Sequence, residues 1–360
     1  MIRLLDRVLT VLDRDLPTSR HVPGRRGTGF QPVLDGLKSR PTARGAACRT
    51  PPRAGFLLRS LGPSLARAYD ARTRVIRSQE AAFMAECANC FKTYDGLQLY
   101  ERAWLPPTEP RGVVAVVHGF TEHGGRYGPL AGELNRHGYA MYALDLRGHG
   151  RSEGERVFVR SFDEYLADVE LYVDRVRCQQ PGKPIFLLGY SMGGTILIRL
   201  ATLSRLDVRG VILVAPGIML GRKVFPLLRR LAPWIGRWLP RLRLVRFGAS
   251  MLSRDPKVVE AFRNDPYVFH GRFALRTAAE ILQTLGQIGA EMQQVTRPLL
   301  ILHGTGDAVT EPQGSRDLYA RAASADKTLK LYDGLYHDLL NEPEKDQVRG
   351  DVVAWISERT

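Results

Sequence analysis

Nowhere in these 360 residues does an apolar run approach the roughly 18–20 residues that cross a bilayer, so the sequence offers no membrane-spanning segment. Cysteine is scarce. Of the four, only Cys87 and Cys90 stand as a CxxC, and no second pair or histidine lies at ligand spacing, which argues against a zinc site and leaves no metal or organic cofactor implied. Free thiols in a reducing cytoplasm are the expected state. Acidic residues are missing altogether from Val208 to Arg254, a stretch holding ten Arg or Lys. They are thin in residues 1–85 too, where 16 basic residues meet 6 acidic ones, a net of +10 out of +15 for the whole chain. The basic excess is local, so net charge is a poor argument for nucleic-acid binding, and no nucleic-acid partner is expected.

The opening MIRLLDRVLTVLDRDL has the spacing of a short amphipathic helix but no continuous apolar core of a secretory signal. After it, Gly, Pro and Arg dominate without periodicity, and residues 1–85 read as a disordered N-terminal extension. Asp6, Asp13 and Asp15 argue against a transit peptide. Patterned sequence begins just after Met84, so residues 1–83 are expected to be an appendage without a catalytic role.

From residue 91 a strand–helix rhythm sets in. FKTYDGLQLYERAWLP reads as a hairpin around Asp95-Gly96. GVVAVVHG is a strand buried on both faces, and FDEYLADVELYVDRVRCQ has helical spacing. PIFLLGYSMGG reads as strand then turn. The rhythm stops over 217–294 and resumes with PLLILHGTGDAVT. Such alternation implies a mostly parallel α/β sheet: core residues 86–216 and 295–360, with the insertion 217–294 at the sheet edge where ligands bind.

Gly189-Tyr190-Ser191-Met192-Gly193 is a G-x-S-x-G between strand and helix, the setting in which a strained turn exposes a serine hydroxyl. A hydroxyl needs a base to take its proton, and the base needs a carboxylate to fix its tautomer. His337, after the last predicted strand, and Asp307, in the loop after the preceding one, complete the order Ser191…Asp307…His337. Asp333 and Asp338 are rival acids. His303 is expected to pack against the Asp307 loop and His149 to structure its own. For the oxyanion, the backbone N–H groups of Met192 and of Phe120, in HGFTEHGGRY, are the expected donors.

Taken in order, HGFTEHGGRY, LDLRGHGRS, GYSMGG, LILHGTGDAVT and YHDLLNEPEK resemble the monoacylglycerol lipase and lysophospholipase-like branch of the α/β-hydrolases. The resemblance implies an eight-stranded sheet with a helical cap inserted after the sixth strand. It also implies hydrolysis of one acyl ester of a single-chain lipid through an acyl-enzyme on Ser191. It puts Glu122 and Arg126 near the alcohol head group, or paired with each other to hold their loop. Tyr190 and Phe120 depart from the family pattern, and both are expected to reshape the alcohol pocket. A peptidase, acyltransferase or cofactor-free perhydrolase could use the same triad, and a non-catalytic lipid-binding module could share the fold.

The acid-free stretch PLLRRLAPWIGRWLPRLRLVRFG, residues 226–248, falls in the cap. On a helical wheel Leu228, Leu231, Ile235, Trp238, Leu239 and Leu242 share one side and Arg230, Arg237 and Arg241 the other, and the helix is expected to kink or break into short pieces at Pro233 and Pro240. Such a helix covers the site, or rests on an anionic bilayer through Arg230, Trp234, Arg237, Trp238 and Arg241. A cytoplasmic protein, peripheral to membrane, is the expectation.

Overall fold

The computed structural model of the chain describes residues 85–221, 238–246 and 248–360. The expectations for residues 1–84, and those for Arg230, Trp234 and Arg237, lie outside the described residues.

Strands β1 (Ala85–Lys92) and β2 (Gln98–Leu105) form the expected antiparallel hairpin, turned at Gly96 with φ +89°. The runs read as buried strands become β3 (Gly112–Val117), β4 (Tyr139–Leu144), β5 (Ile185–Tyr190), β6 (Gly210–Val214) and β9 (Leu299–Gly304), each buried along its whole length. With the edge strand β10 (Lys327–Tyr332) they make an eight-stranded sheet in the order β1-β2-β4-β3-β5-β6-β9-β10, parallel from β4 onward.

Both faces are covered, which is why the central strands need no polar side chains. Alternation along β3 sends Val113, Ala115 and Val117 into one layer and Val114 and Val116 into the other. The first layer is closed by helices α2 (Asp163–Gln179), α3 (Met192–Thr202), α5 (Leu275–Glu291) and α6 (Pro312–Arg321). The second is closed by α1 (Gly128–Arg136) and α7 (Lys345–Ser357). Each fully buried Val, Leu or Ile contributes about 1.5–3 kcal/mol, so these two layers dominate the stability of the sheet.

Between β6 and β9 the chain leaves the sheet. It forms a two-stranded antiparallel ladder, β7 (Arg243–Arg246) with β8 (Arg272–Ala274), and helix α4 (Pro256–Asn264). Leu252, Phe262 and Val268 make a small core of their own here. Helix α5, which the sequence reading assigned to the cap, packs against the sheet's first layer through Ile288. Of the kink or break expected at Pro240, the described residues show a break: Pro240 and Arg241 form a turn, and the chain runs extended into β7, which takes Leu242 off the wheel. Pro240 biases the residue before it away from helical geometry, and the ladder with β8 takes up the backbone groups beyond.

Candidate active site

Strand β5 runs directly into Ser191, and α3 begins at the next residue. The turn forces Ser191 to φ 52° and ψ −114°, a conformation that costs about 1–3 kcal/mol. Its surroundings hold it there. Ser191 N donates to Val214 O at 3.0 Å, and Ser191 O accepts from Gly217 N at 2.9 Å and Thr195 N at 3.1 Å. The flanking glycines are sterically required. A Cβ on Gly189 would stand 2.7 Å from Gly193 O, and one on Gly193 only 1.9 Å from Val117 O.

Asp307 follows β9 in a tight loop. Its Oδ1 accepts from Val309 N at 2.8 Å and Thr310 N at 3.0 Å, and its Oδ2 accepts from Thr310 Oγ1 at 2.8 Å. Oδ2 also lies 2.7 Å from His337 Nδ1, and His337 Nε2 lies 2.9 Å from Ser191 Oγ. Burial alone would raise the Asp307 carboxyl. The adjacent His337 and the hydrogen bonds from His303 and His337 outweigh that and hold it far below the usual range. An ionised carboxylate at Nδ1 keeps the proton there, which leaves Nε2 to accept from the serine.

The rival acids point elsewhere. Asp333 Oδ1 accepts from Thr305 Oγ1 at 2.9 Å, and Asp338 Oδ2 accepts from Arg126 Nη2 at 2.7 Å. Thr310 is a member of the site that the sequence reading did not single out. Its position three residues after Asp307 is the available signal, since short loops let a following hydroxyl and amide fold back onto an acid.

Phe120 lies in the loop after β3. His118 fixes that loop: its Nδ1–H donates to Gly119 O at 2.7 Å, and its Nε2 accepts from Leu146 N at 3.0 Å. Burial lowers His118 to about 3, so the ring is neutral and can accept. Among the described residues neither the Phe120 nor the Met192 backbone N–H has a protein acceptor. Met192 is the first residue of α3, where amides are unsatisfied within the helix and the dipole favours negative charge. The Phe120 ring meets Phe273 of β8 edge to face at 4.8 Å.

Glu122 and Tyr190 are buried, and Arg126 is half-buried. Glu122 Oε1 accepts from Gly119 N and from Tyr127 Oη, both at 2.8 Å, and Glu122 Oε2 lies 2.8 Å from Arg126 Nε. Arg126 thus bridges Glu122 to Asp338, joining the loop after β3 to the His337 loop. These contacts are the loop-holding arrangement of the two readings made from sequence. The Tyr190 ring lies 5.0 Å from that of His337 and against Gly119. Its hydroxyl has no partner among the described residues. Tyr190 lines a cavity of about 10 Å³ shared with Glu122, Arg126 and Arg349, room for about one water.

The segment carrying α4 is tied to both loops, which no sequence signal announced. His123 Nε2 meets Asp265 Oδ2 at 2.9 Å, Phe269 N donates to Thr121 O at 2.8 Å, and Asp338 N donates to Leu252 O at 2.7 Å. The Phe262 ring caps the Arg126 guanidinium at 4.8 Å. Farther out, Trp238 is 79% exposed and Leu239 52% exposed, while Arg241 pairs with Glu155 at 3.2 Å.

A serine hydrolase of the α/β-hydrolase class is what the sheet order, the strained serine turn and the Ser191–His337–Asp307 line define together. The chain belongs to the Hydrolase_4 family, described as serine aminopeptidase, S33, whose model matches residues 108–344. It is 38% identical over 270 residues to a monoacylglycerol lipase of Mycolicibacterium smegmatis, spanning 74% of this chain and 95% of the relative. It is 35% identical over 268 residues to the monoglyceride lipase of Rattus norvegicus, spanning 74% and 88%. Among solved structures, the monoacylglycerol lipase of Paleococcus ferrophilus superposes with a TM-score of 0.67 at 31% identity, covering 73% of this chain and 99% of the other. The chain is an enzyme of this ester-cleaving serine hydrolase class.

Proposed function

We propose that the protein hydrolyses monoacylglycerols or closely related single-chain lipid esters, with Ser191 as nucleophile, His337 as general base and acid, and Asp307 as the carboxylate partner of His337. The observation that carries this reading is the unbroken line from Ser191 Oγ to His337 Nε2 at 2.9 Å and from His337 Nδ1 to Asp307 Oδ2 at 2.7 Å. His337 takes the Ser191 proton as Oγ attacks the acyl carbonyl. The charge on the carbonyl oxygen meets the N–H groups of Phe120 and Met192. Collapse breaks the bond to the alcohol oxygen, which leaves with the proton from His337, and an acyl-Ser191 ester remains. Water then gives its proton to His337 and attacks that ester, releasing the fatty acid and restoring Ser191.

Glu122 and Arg126 serve in this reading by fixing the loop of Phe120 to the loop of His337, and Tyr190 bounds the alcohol side of the site. The chain divides functionally into the core, the inserted segment within 217–294, and an extension over 1–85 that takes no part in the chemistry. Trp238 and Arg241 give the cap a surface suited to an anionic lipid interface.

The test is a panel of monoacylglycerols, lysophospholipids and short esters beside peptide amides. Turnover highest on monoacylglycerols is expected. The family description as a serine aminopeptidase favours one second reading, and faster cleavage of the amides than of any ester would replace the first with it.

A further inference from the structure

His303, the fifth residue of β9, is fully buried beside the triad, and nothing in the reaction described above uses it. Burying a polar ring costs free energy unless its nitrogens are satisfied, and here both have specific partners. Nδ1 lies 2.7 Å from Ser315 Oγ on α6. Nε2 lies 3.1 Å from Asp307 Oδ2 and 3.2 Å from Thr310 O, two acceptors. An unprotonated Nε2 would set its lone pair against a carboxylate and a carbonyl. The proton therefore belongs on Nε2, and Nδ1 accepts from the Ser315 hydroxyl.

We propose that His303 is a positioning residue: it donates its Nε2–H to Asp307 Oδ2 and so aims that oxygen at His337 Nδ1. The inference rests on the catalytic reading of Ser191, His337 and Asp307. Asp307 Oδ1 is pinned by two backbone amides, and the remaining freedom of the carboxylate is rotation that carries Oδ2 away from His337. Thr310 Oγ1 opposes this from within the same loop. His303 opposes it from the sheet itself, where β9 is hydrogen-bonded on both sides by β6 and β10. Ser315 in turn holds the imidazole from α6. The chain of contacts Ser315–His303–Asp307–His337–Ser191 thus ties the nucleophile's base to two rigid elements, the kind of outer support that keeps a reacting geometry within a fraction of an ångström.

The titratable groups facing Asp307 are His337 and His303, and Thr310 and Ser315 add only hydroxyls. Removing the His303 donor leaves the Asp307 charge less shared, so it favours the protonated form of His337. The acid limb of kcat/KM should then move to higher pH. A purely space-filling His303 would leave that limb in place.

Two variants of matched length separate donor from volume: His303→Gln keeps an N–H, and His303→Met does not. With a p-nitrophenyl ester and with a monoacylglycerol, His303→Met should lose on the order of ten- to a hundredfold in kcat, with KM nearly unchanged and the acid limb displaced upward. His303→Gln should restore both kcat and the limb to near wild-type values. A Met variant matching wild type, or a Gln variant no better than Met, overturns the proposal. Should the Met variant not fold, nitrogen-15 spectra of the wild-type histidines decide, with the His303 signal identified by its loss in His303→Gln. A protonated Nε2 with an unprotonated Nδ1 is expected, and the opposite tautomer overturns the inference. If the wild-type protein neither cleaves esters nor reacts at Ser191 with a fluorophosphonate, the catalytic reading itself has failed. If it does both while His303→Met is unaffected, only the role of His303 has.

Discussion

At the scale of single residues, the site depends on space as much as on reactive groups. Gly193 leaves the room through which the Ser191 turn passes under Val117, and a methyl there would sit 1.9 Å from a carbonyl oxygen. Gly193→Ala is therefore expected to cost more than the ~3 kcal/mol that bounds ordinary core substitutions. The readout is urea unfolding, and a midpoint within error of wild type would contradict the account of the turn. Buried histidines give a second prediction. Burial lowers both His118 and His149 to about 3 in the folded chain. In the unfolded chain each takes up a proton near 6.5. The unfolded state thus binds more protons between these values, and stability falls as pH drops from about 6.5 toward 3. The slope should be on the order of 1 kcal/mol per pH unit for each histidine. Unfolding midpoints at pH 7 and pH 5 measure it, and equal midpoints would refute it.

Among elements, the segment around α4 is docked on the loops of the active site. Three of its contacts, from Asp265, Phe269 and Leu252, end on the loops that carry Phe120 and His337. Asp265→Asn removes the charge facing His123 and should loosen this docking by about 1 kcal/mol, or about fivefold faster amide exchange in Pro256–Asn264. The core's unfolding midpoint should stay put, and unchanged exchange would show that the contact does not anchor α4. These ties were invisible in the sequence because they join residues more than eighty positions apart with no shared spacing. The core strands, by contrast, were legible. GVVAVV and its counterparts are buried on both faces, so apolar runs and strands coincide. The packing partner of helix α5 was not legible in this way. Its spacing shows that one face is buried, and nothing in a single sequence says whether sheet or substrate lies beneath. Ser191, Asp307 and His337 were legible because each follows a readable strand. Thr310 left only the faint signal of its place three residues after Asp307, and the pairing of Arg126 with Asp338 emerges only when the loops are brought together.

For the whole molecule, two regions extend the account beyond the core. Deleting residues 1–83 should leave ester hydrolysis within about twofold of the full chain, because every element of the site lies between β1 and α7. Exposed Trp238 and Leu239 should hold the cap at a lipid surface. Trp238→Ala is then expected to weaken binding to anionic vesicles severalfold in a sedimentation assay. The ion pair to Glu155 already engages Arg241, so Arg241→Gln alone should do less. Equal loss in the two variants would place the attraction in charge alone. The central claim is that one strained serine, activated by His337 and Asp307, carries the chemistry. Peptide-resolved mass spectrometry after reaction with a fluorophosphonate tests it most directly. The account predicts a single stoichiometric adduct on Ser191 that disappears in Asp307→Ala and His337→Ala. An unlabelled Ser191 in the folded protein, or an adduct on another residue, would contradict it.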